Sequence, residues 1–368
     1  MSEYWTPDEI DKTGANYRIV YGERGPGKTY SFKKKAIDNL VENGKTFAYV
    51  RRRVEEIKPG KLMSFFDDIS EYLNRRMIEK WPGFDDFVIM PKAGTFTLYG
   101  YTEGRREAIT TIGHYFALAN SRYNKSVPYP DVNLFCYDEF LVDESKGEYE
   151  LPGEFSLLLN LISTIKRKRT DFIVYMFGNT VSRNSTVLSS MNINVRDVPQ
   201  GSIKCYEYRD GSIVNKVAVE YTRHYEQSNE SESFFVFNSK REMMIRDGSF
   251  EVDSYATFDE ESFYAARPKH GILFDCPDFR LYGYVMTNGE LWVTPKRMVW
   301  SGTYITLTTG ESFPNRRTFN WQSGIERIDR VTKKIDSLAI NGKIRFQDDY
   351  TGDDFRHFLF VAKSKGTA

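Results

Sequence analysis

Through about its first 220 residues the chain alternates short apolar runs with longer segments of helical periodicity. "YRIVY" (17–21), "TFAYVRR" (46–52), "NLFCYDEF" (133–140) and "FIVYMFGN" (172–179) are mostly apolar runs of strand length. Between them the spacing predicts helices over about 29–43, 61–75 and 153–168. Strands apolar on both faces, separated by helices, predict an α/β domain with a mainly parallel sheet covered on both sides. "CYEYRDGSIVNKVAVE" carries Asp210-Gly211 at its centre and reads as a closing hairpin. We place this domain at residues 1–220.

Residues 221–262 break the rhythm, with four Lys or Arg against ten Asp or Glu and the polar stretch "EQSNESESFF". They read as a linker or small connecting subdomain. In "FRLYGYVMTNGELWVTP", Asn288-Gly289 separates two apolar runs and marks a hairpin. It belongs to a second, smaller domain at 263–368, with helices expected at about 324–339 and 352–363. The chain shows no repeat of fixed period and no low-complexity tract.

Composition narrows the classes without choosing one. The 368 residues are 40% hydrophobic and 28% charged, enough for two domains with cores of their own. Lys plus Arg equals Asp plus Glu at 51 each, so no global charge draws the chain to nucleic acid or membrane. Any charged function must come from local segregation. Cys136, Cys205 and Cys276 have spacings that fit neither a disulfide framework nor a zinc site. His114, His224, His270 and His357 show no metal-ligand spacing and read as solvated or structural. The acidic start "MSEYWTPDEIDK" lacks an apolar core, and no segment approaches the roughly 18 apolar residues of a membrane span. The expectation is a cytosolic protein with no membrane partner.

Candidate chemistry begins at "VYGERGPGKTY", where Gly22 to Thr29 satisfies G-x-x-x-x-G-K-[ST] in full. Such a loop curls so that its N–H groups face phosphate oxygens, and the following helix adds its positive end. Lys28 would reach the β and γ phosphates of ATP, and the Thr29 hydroxyl would ligate Mg²⁺. A glycine-rich turn that only caps a helix would not require Lys and Thr at these positions. "NLFCYDEF" ends a buried strand in Asp138, placed for the magnesium shell, and Glu139, placed to orient and deprotonate water. Asn179 ends the next strand and is a candidate γ-phosphate sensor. The run Lys166 to Arg169 has three readings: a solvated face, a nucleic-acid contact, or an arginine donated to a neighbouring subunit.

The ordered set GxRGxGK[ST], "AYVRR", "YPDVNLFCYDEF", "LLNLISTIKRKR" and "FGNTVS", continued by "NGELW" and "NGKIRF", resembles the ring-forming genome-packaging ATPase of phi29-like tailed phages, a relative of the large terminases. The resemblance implies an ASCE-type P-loop ATPase domain, a linker, and a smaller α+β RNase H-like domain that is a vestigial nuclease. It implies a homopentameric ring on the procapsid portal, in the host cytoplasm, that hydrolyses ATP with Mg²⁺ and drives double-stranded DNA inward. An RNA or protein adaptor is a further partner of such motors. Gly22, Glu23, Arg24, Gly25, Pro26, Gly27, Lys28, Thr29 and Tyr30 fall at the nucleotide loop. Arg167 falls at a trans-acting arginine finger, and Lys125 at a second basic residue facing the neighbour's ATP. Lys58 and Lys61 fall near the family's DNA-contacting loop.

The second domain bears on DNA cleavage and contact. An RNase H-like nuclease places a carboxylate inside its first strand, and "RLYGYVMT", read as that strand, has none. "QDDYTGDDF" reads as a solvated glycine-containing loop, so the expectation is no nuclease activity. Residues 295–345 hold ten Lys or Arg, among them Arg316, Arg317, Lys333 and Lys334, against four acids. They are candidates for DNA or portal contact, with a plain soluble surface as the alternative. Two competing functions stand beside the motor: a nuclease-competent terminase, and a nucleotide-gated DNA-binding switch without sustained turnover.

Overall fold

The computed structural model describes residues 4–25, 27–124, 127–142, 149–180, 182–211, 213–225, 255–276, 279–308, 318–320 and 326–364. The chain divides into one unit of residues 1–187 and 195–251 and another of residues 188–194 and 252–368.

In the first unit, α1 (Asp8–Lys12) precedes β1 (Tyr17–Gly22), α2 (Lys28–Asn43) and β2 (Thr46–Arg51). There follow α3 (Pro59–Leu62), α4 (Ser70–Lys80), β3 (Asp86–Lys92), β4 (Thr95–Thr102), β5 (Arg105–Ala117) and β6 (Val132–Asp138). The unit continues with α5 (Glu154–Lys166) and β7 (Ile173–Asn179); α6 (Thr186–Ser190) crosses the division, and β8 (Ser202–Asp210) and β9 (Ile213–Tyr221) complete the unit's strands. The sheet order is β3-β4-β5-β2-β6-β7-β1-β9-β8. Its six inner strands, from β5 to β9, pair parallel, and antiparallel strands extend both edges. The α/β class with a mostly parallel sheet is therefore as the apolar runs require.

Strands β1, β2, β6 and β7 are buried along nearly their whole length. Helix α2 is pinned to them by Phe32, whose ring meets Phe47, Tyr175 and Phe177 at centroid distances of 6.0, 5.8 and 6.1 Å. Edge-on aromatic packing of this kind fixes the helix, and with it the position of its first residue, Lys28.

One expectation needs correction here, and one element was missed. The helix expected over 61–75 is broken into the single turn α3, a short 3₁₀ turn at Asp67–Ile69, and α4. Phe65 and Phe66 turn into the core between them, in contact with Phe96. The antiparallel meander β3–β4–β5 was not anticipated. Its tight turns place Ala93-Gly94 and Glu103-Gly104 at positive φ.

The second unit contains α7 (Glu260–Ala265), β10 (Pro268–Asp275), β11 (Arg280–Met286), β12 (Leu291–Thr294) and β13 (Tyr304–Thr308). β14 (Thr318–Asn320), α8 (Glu326–Ile340), β15 (Ile344–Phe346) and α9 (Asp349–Ser364) follow. Its sheet runs β14-β13-β10-β11-β12-β15. β10, β11 and β12 pair antiparallel in sequence, while β13 joins β10 in parallel and β14 joins β13 in parallel. A central first strand flanked in this way is the order an RNase H-like sheet needs. Phe274 of β10 meets Phe355 and Phe358 of α9 at 5.0 and 5.2 Å, which seats that helix on the sheet.

This topology corrects the reading of "RLYGYVMT". It is the second strand; the first is β10, and it ends in Asp275, bound by Arg280 at 2.6 Å. "QDDYTGDDF" is also not a solvated loop. Asp348 accepts the N–H of Thr351 at 2.7 Å, Asp349 accepts the N–H of Tyr255 at 2.9 Å, and Asp353 accepts the Tyr255 hydroxyl at 2.8 Å. Asp354 is buried. The segment starts α9 because its carboxylates cap and anchor it. Among the described residues no helix is long and apolar enough to cross a membrane.

Candidate active site

Parallel pairing brings the C-terminal ends of β1, β7 and β6 side by side, with Gly22 opposite Asn179 and Asp138 opposite Phe177. Open α/β sheets bind ligands at such an edge. The loop leaving β1 turns through Gly25 and Gly27 at φ 101° and 86°, a left-handed geometry that favours glycine, and α2 begins at Lys28. The helix N-terminus therefore opens onto the ends of β6 and β7.

Lys28 is only 6% exposed. Its ammonium donates to the Glu23 carbonyl at 2.7 Å and to Asn179 Oδ1 at 3.4 Å. Burial pushes it down to about 8, while the Asp138, Glu23, Glu139 and Glu220 carboxylates pull the other way. Thr29 Oγ1 donates to Asp138 Oδ2 at 3.1 Å, and the Tyr49 hydroxyl donates to the same oxygen at 2.9 Å. Burial raises the Asp138 carboxyl above its ordinary value, against the nearby Arg51 guanidinium. A hydroxyl and one carboxylate are hard oxygen donors that suit Mg²⁺, which keeps several waters and takes few protein ligands. Among the described residues no cluster of three or more metal-ligating side chains forms, so any metal here would depend on nucleotide oxygens as well.

Glu139 follows at φ 53°, a strained conformation for a non-glycine residue. Its Oε2 lies 2.5 Å from Arg51 Nη2, and Arg51 also donates to Glu56 at 2.6 Å. The neighbouring Arg52 is buried and locks the other side of the turn. It donates to the carbonyls of Glu139 and Phe140 at 3.1 and 2.5 Å and to both oxygens of Glu154 at 2.8 and 3.0 Å. Tyr49, Arg51, Arg52 and Glu154 were not assigned roles from the sequence, although two arginines ending a buried strand were a signal of the same kind as Asp138-Glu139.

The remaining candidates divide by position. Glu23 is 2% exposed and its carboxylate meets His224 and Tyr225, whereas Arg24 is exposed and Tyr30 half-buried beside Tyr4. Arg167 is exposed at the C-terminal end of α5, opposite the end where Glu154 meets Arg52, and the structure does not bring it into this site. Lys58 and Lys61 are exposed at the start of α3 in the first unit, and Lys333 and Lys334 are exposed on α8 in the second. Pro26, Lys125, Arg316 and Arg317 lie outside the described residues.

Residues 1–224 match the family described as Podovirus DNA encapsidation protein (Gp16). The DNA packaging protein of Bacillus phage phi29 is 28% identical over 181 residues, covering 49% of this chain and 48% of the relative. That of Bacillus phage B103 is 30% identical over 164 residues, covering 45% and 44%. The chain thus spans about half the length of the relatives it matches in sequence. In three dimensions it resembles a chain of the bacteriophage phi29 viral genome packaging motor assembly, with a TM-score of 0.57 and 18% identity, over 98% of this chain and 100% of that one. The shared architecture extends beyond the region of sequence similarity into the second unit.

Proposed function

The chain belongs to the Podovirus DNA encapsidation protein (Gp16) family, and on that premise we propose that it is an ATP-hydrolysing ring motor. It would drive double-stranded DNA into a preformed procapsid through the portal, acting in the host cytoplasm and transiently at the portal vertex. The observation that carries this reading is the convergence of Lys28, Thr29, Asp138 and Asn179 on one loop, with Glu139 beside them. A loop that only bound nucleotide would not need a second carboxylate at the strand end.

In this reading Lys28 exchanges the Glu23 carbonyl for phosphate oxygens, and the N-terminus of α2 stabilises their charge. Thr29 and Asp138 would hold Mg²⁺, which when bound would neutralise charge at the phosphates. Glu139 orients the attacking water and accepts its proton once Arg51 releases it. Asn179 bonds the γ phosphate from the neighbouring strand end. Arg167, and Lys125 with it, act on the next subunit's nucleotide, so hydrolysis depends on a ring, which we assign as a pentamer. The division into an ATPase domain (1–220), a linker (221–262) and a C-terminal domain (263–368), and DNA or portal contact through Lys58, Lys61, Arg316, Arg317, Lys333 and Lys334, belong to the same proposal.

The test is Glu139→Gln. It should leave ATP binding intact and abolish turnover with and without duplex DNA. Unchanged hydrolysis removes Glu139 from its role, and a wild-type chain that binds ATP without turning it over favours the switch. A cleaving terminase is the second reading, favoured by Asp275 at the end of the first strand. Nicking of supercoiled plasmid in Mn²⁺ would support it.

A further inference from the structure

Glu23 is a carboxylate inside a loop whose chemistry is to hold phosphate, and it is withdrawn from solvent. Its Oε1 accepts the backbone N–H of Tyr225 at 2.9 Å, and its Oε2 lies 2.8 Å from His224 Nδ1. His224 and Tyr225 are the last described residues of the first unit before residue 226.

The start of the same loop is clamped from both sides. Thr222 packs so closely that a Cβ on Gly22 would stand 1.8 Å from its Oγ1, and Thr180 donates its N–H to the Gly22 carbonyl at 3.1 Å. Thr222 and Thr180 are 1% and 0% exposed, and each buries a hydroxyl oxygen that has no hydrogen-bond partner among the described residues.

We propose that Glu23 is a positioning residue that couples occupancy of the phosphate loop to the His224–Tyr225 segment. The path is short and explicit. The Lys28 ammonium donates to the Glu23 carbonyl at 2.7 Å, and any phosphate that takes this ammonium takes it from Glu23. The Glu23 backbone loses that restraint, and the carboxylate on the same residue carries the change to the Tyr225 N–H. Residues 23 and 225 thus form one two-position element that both the nucleotide and the His224–Tyr225 segment bias. This rests on the reading that the loop binds nucleotide.

The experiment is amide hydrogen exchange over residues 220–225, with and without ATPγS and Mg²⁺, alongside a separate titration of nucleotide binding with a fluorescent ATP analogue. In the wild-type chain, nucleotide should change exchange at the Tyr225 amide about fivefold or more, the low end of ordinary coupling. Glu23→Ala, compared at a nucleotide concentration that saturates it by its own titration, should lose that response. Glu23→Gln, which keeps an acceptor for the Tyr225 N–H, should retain it. If the alanine chain does not fold, Glu23→Asp takes its place with the same expectation, because its side chain is one methylene shorter. A Tyr225 response as large without the Glu23 contact as with it overturns the coupling, as does a wild-type chain that binds nucleotide and shows no response. A wild-type chain that binds no nucleotide overturns the site reading, and this inference with it.

Discussion

Arg51 Nη2 and Glu139 Oε2 stand 2.5 Å apart, so the carboxylate we propose as the water-orienting group is engaged by a guanidinium. Arg51 is itself held by Glu56 at 2.6 Å and lies 3.9 Å from Asp138, so it can stay in place when Glu139 leaves. A hydrogen bond between charged groups contributes on the order of 1.5 kcal/mol, about a tenfold bias in the position of Glu139. Arg51→Gln should therefore raise DNA-independent hydrolysis several-fold and shrink the stimulation by DNA. Phosphate release measured with and without duplex checks this, and a lower basal rate would mean that Arg51 positions Glu139 for catalysis instead.

The Lys28 ammonium, pushed down to about 8 by burial, gives nucleotide affinity a pH dependence of known sign. Below pH 8 the lysine is charged before phosphate arrives, so this group leaves affinity flat. Above pH 8 binding must take up a proton, and affinity falls by up to about tenfold per pH unit. Titration with a fluorescent ATP analogue at pH 7, 8 and 9 should show the bend. Lys28→Met should bind more weakly throughout and show none, and a wild-type profile flat to pH 9 would contradict the assignment.

Arg52 and Glu154 form a buried ion pair, Glu154 being 1% exposed and further bonded by the Tyr137 hydroxyl at 2.6 Å. Removing one partner leaves the other charge buried and unpaired, which costs about 3–5 kcal/mol. Glu154→Ala should lose stability by that order in chemical denaturation. Because Arg52 also fixes the Glu139 carbonyl, turnover at saturating ATP should fall even where the chain remains folded. On the proposed roles of Lys28 and Thr29, nucleotide affinity should change little.

What the sequence made legible was local, and what it hid was either distant or disguised. The apolar runs ending in Gly22, Asp138 and Asn179 revealed both the parallel sheet and the edge on which the site forms, because buried parallel strands must be apolar while their ends need not be. Within the meander, β4 alternates polar and apolar positions and β5 opens on the polar "RRE", so a reading keyed to continuous apolar runs passed over them despite the glycines at their turns, and the short "FVIM" of β3 was missed although it is such a run. β10 was disguised by Lys269, His270 and Gly271 at its start, which is why its neighbour "RLYGYVMT" was taken for the first strand. The contact of Glu23 with Tyr225 spans 202 positions and leaves no pattern in the sequence near either residue.

Arg167 lies at the C-terminal end of α5, whose first turn holds Glu154 against Arg52 beside Glu139. A helix of 13 residues is about 20 Å long, so the two ends of α5 cannot serve the same nucleotide. Its neighbour Arg169 is fastened to the carbonyls of Tyr129 and Pro130 at 2.7 and 2.9 Å, which anchors that end and leaves Arg167 exposed. If Arg167 completes the site of an adjacent subunit, Arg167→Ala should lower turnover by about 10³-fold or more, the scale of an arginine finger. Glu139→Gln should be inactive for a different reason. In rings assembled from equal amounts of the two variants, about a quarter of the sites pair an intact Glu139 with an intact Arg167 from the neighbour, and turnover should return in that proportion. Mixed rings that show only the sum of the two parental rates would place the role of Arg167 within its own subunit or remove it from hydrolysis.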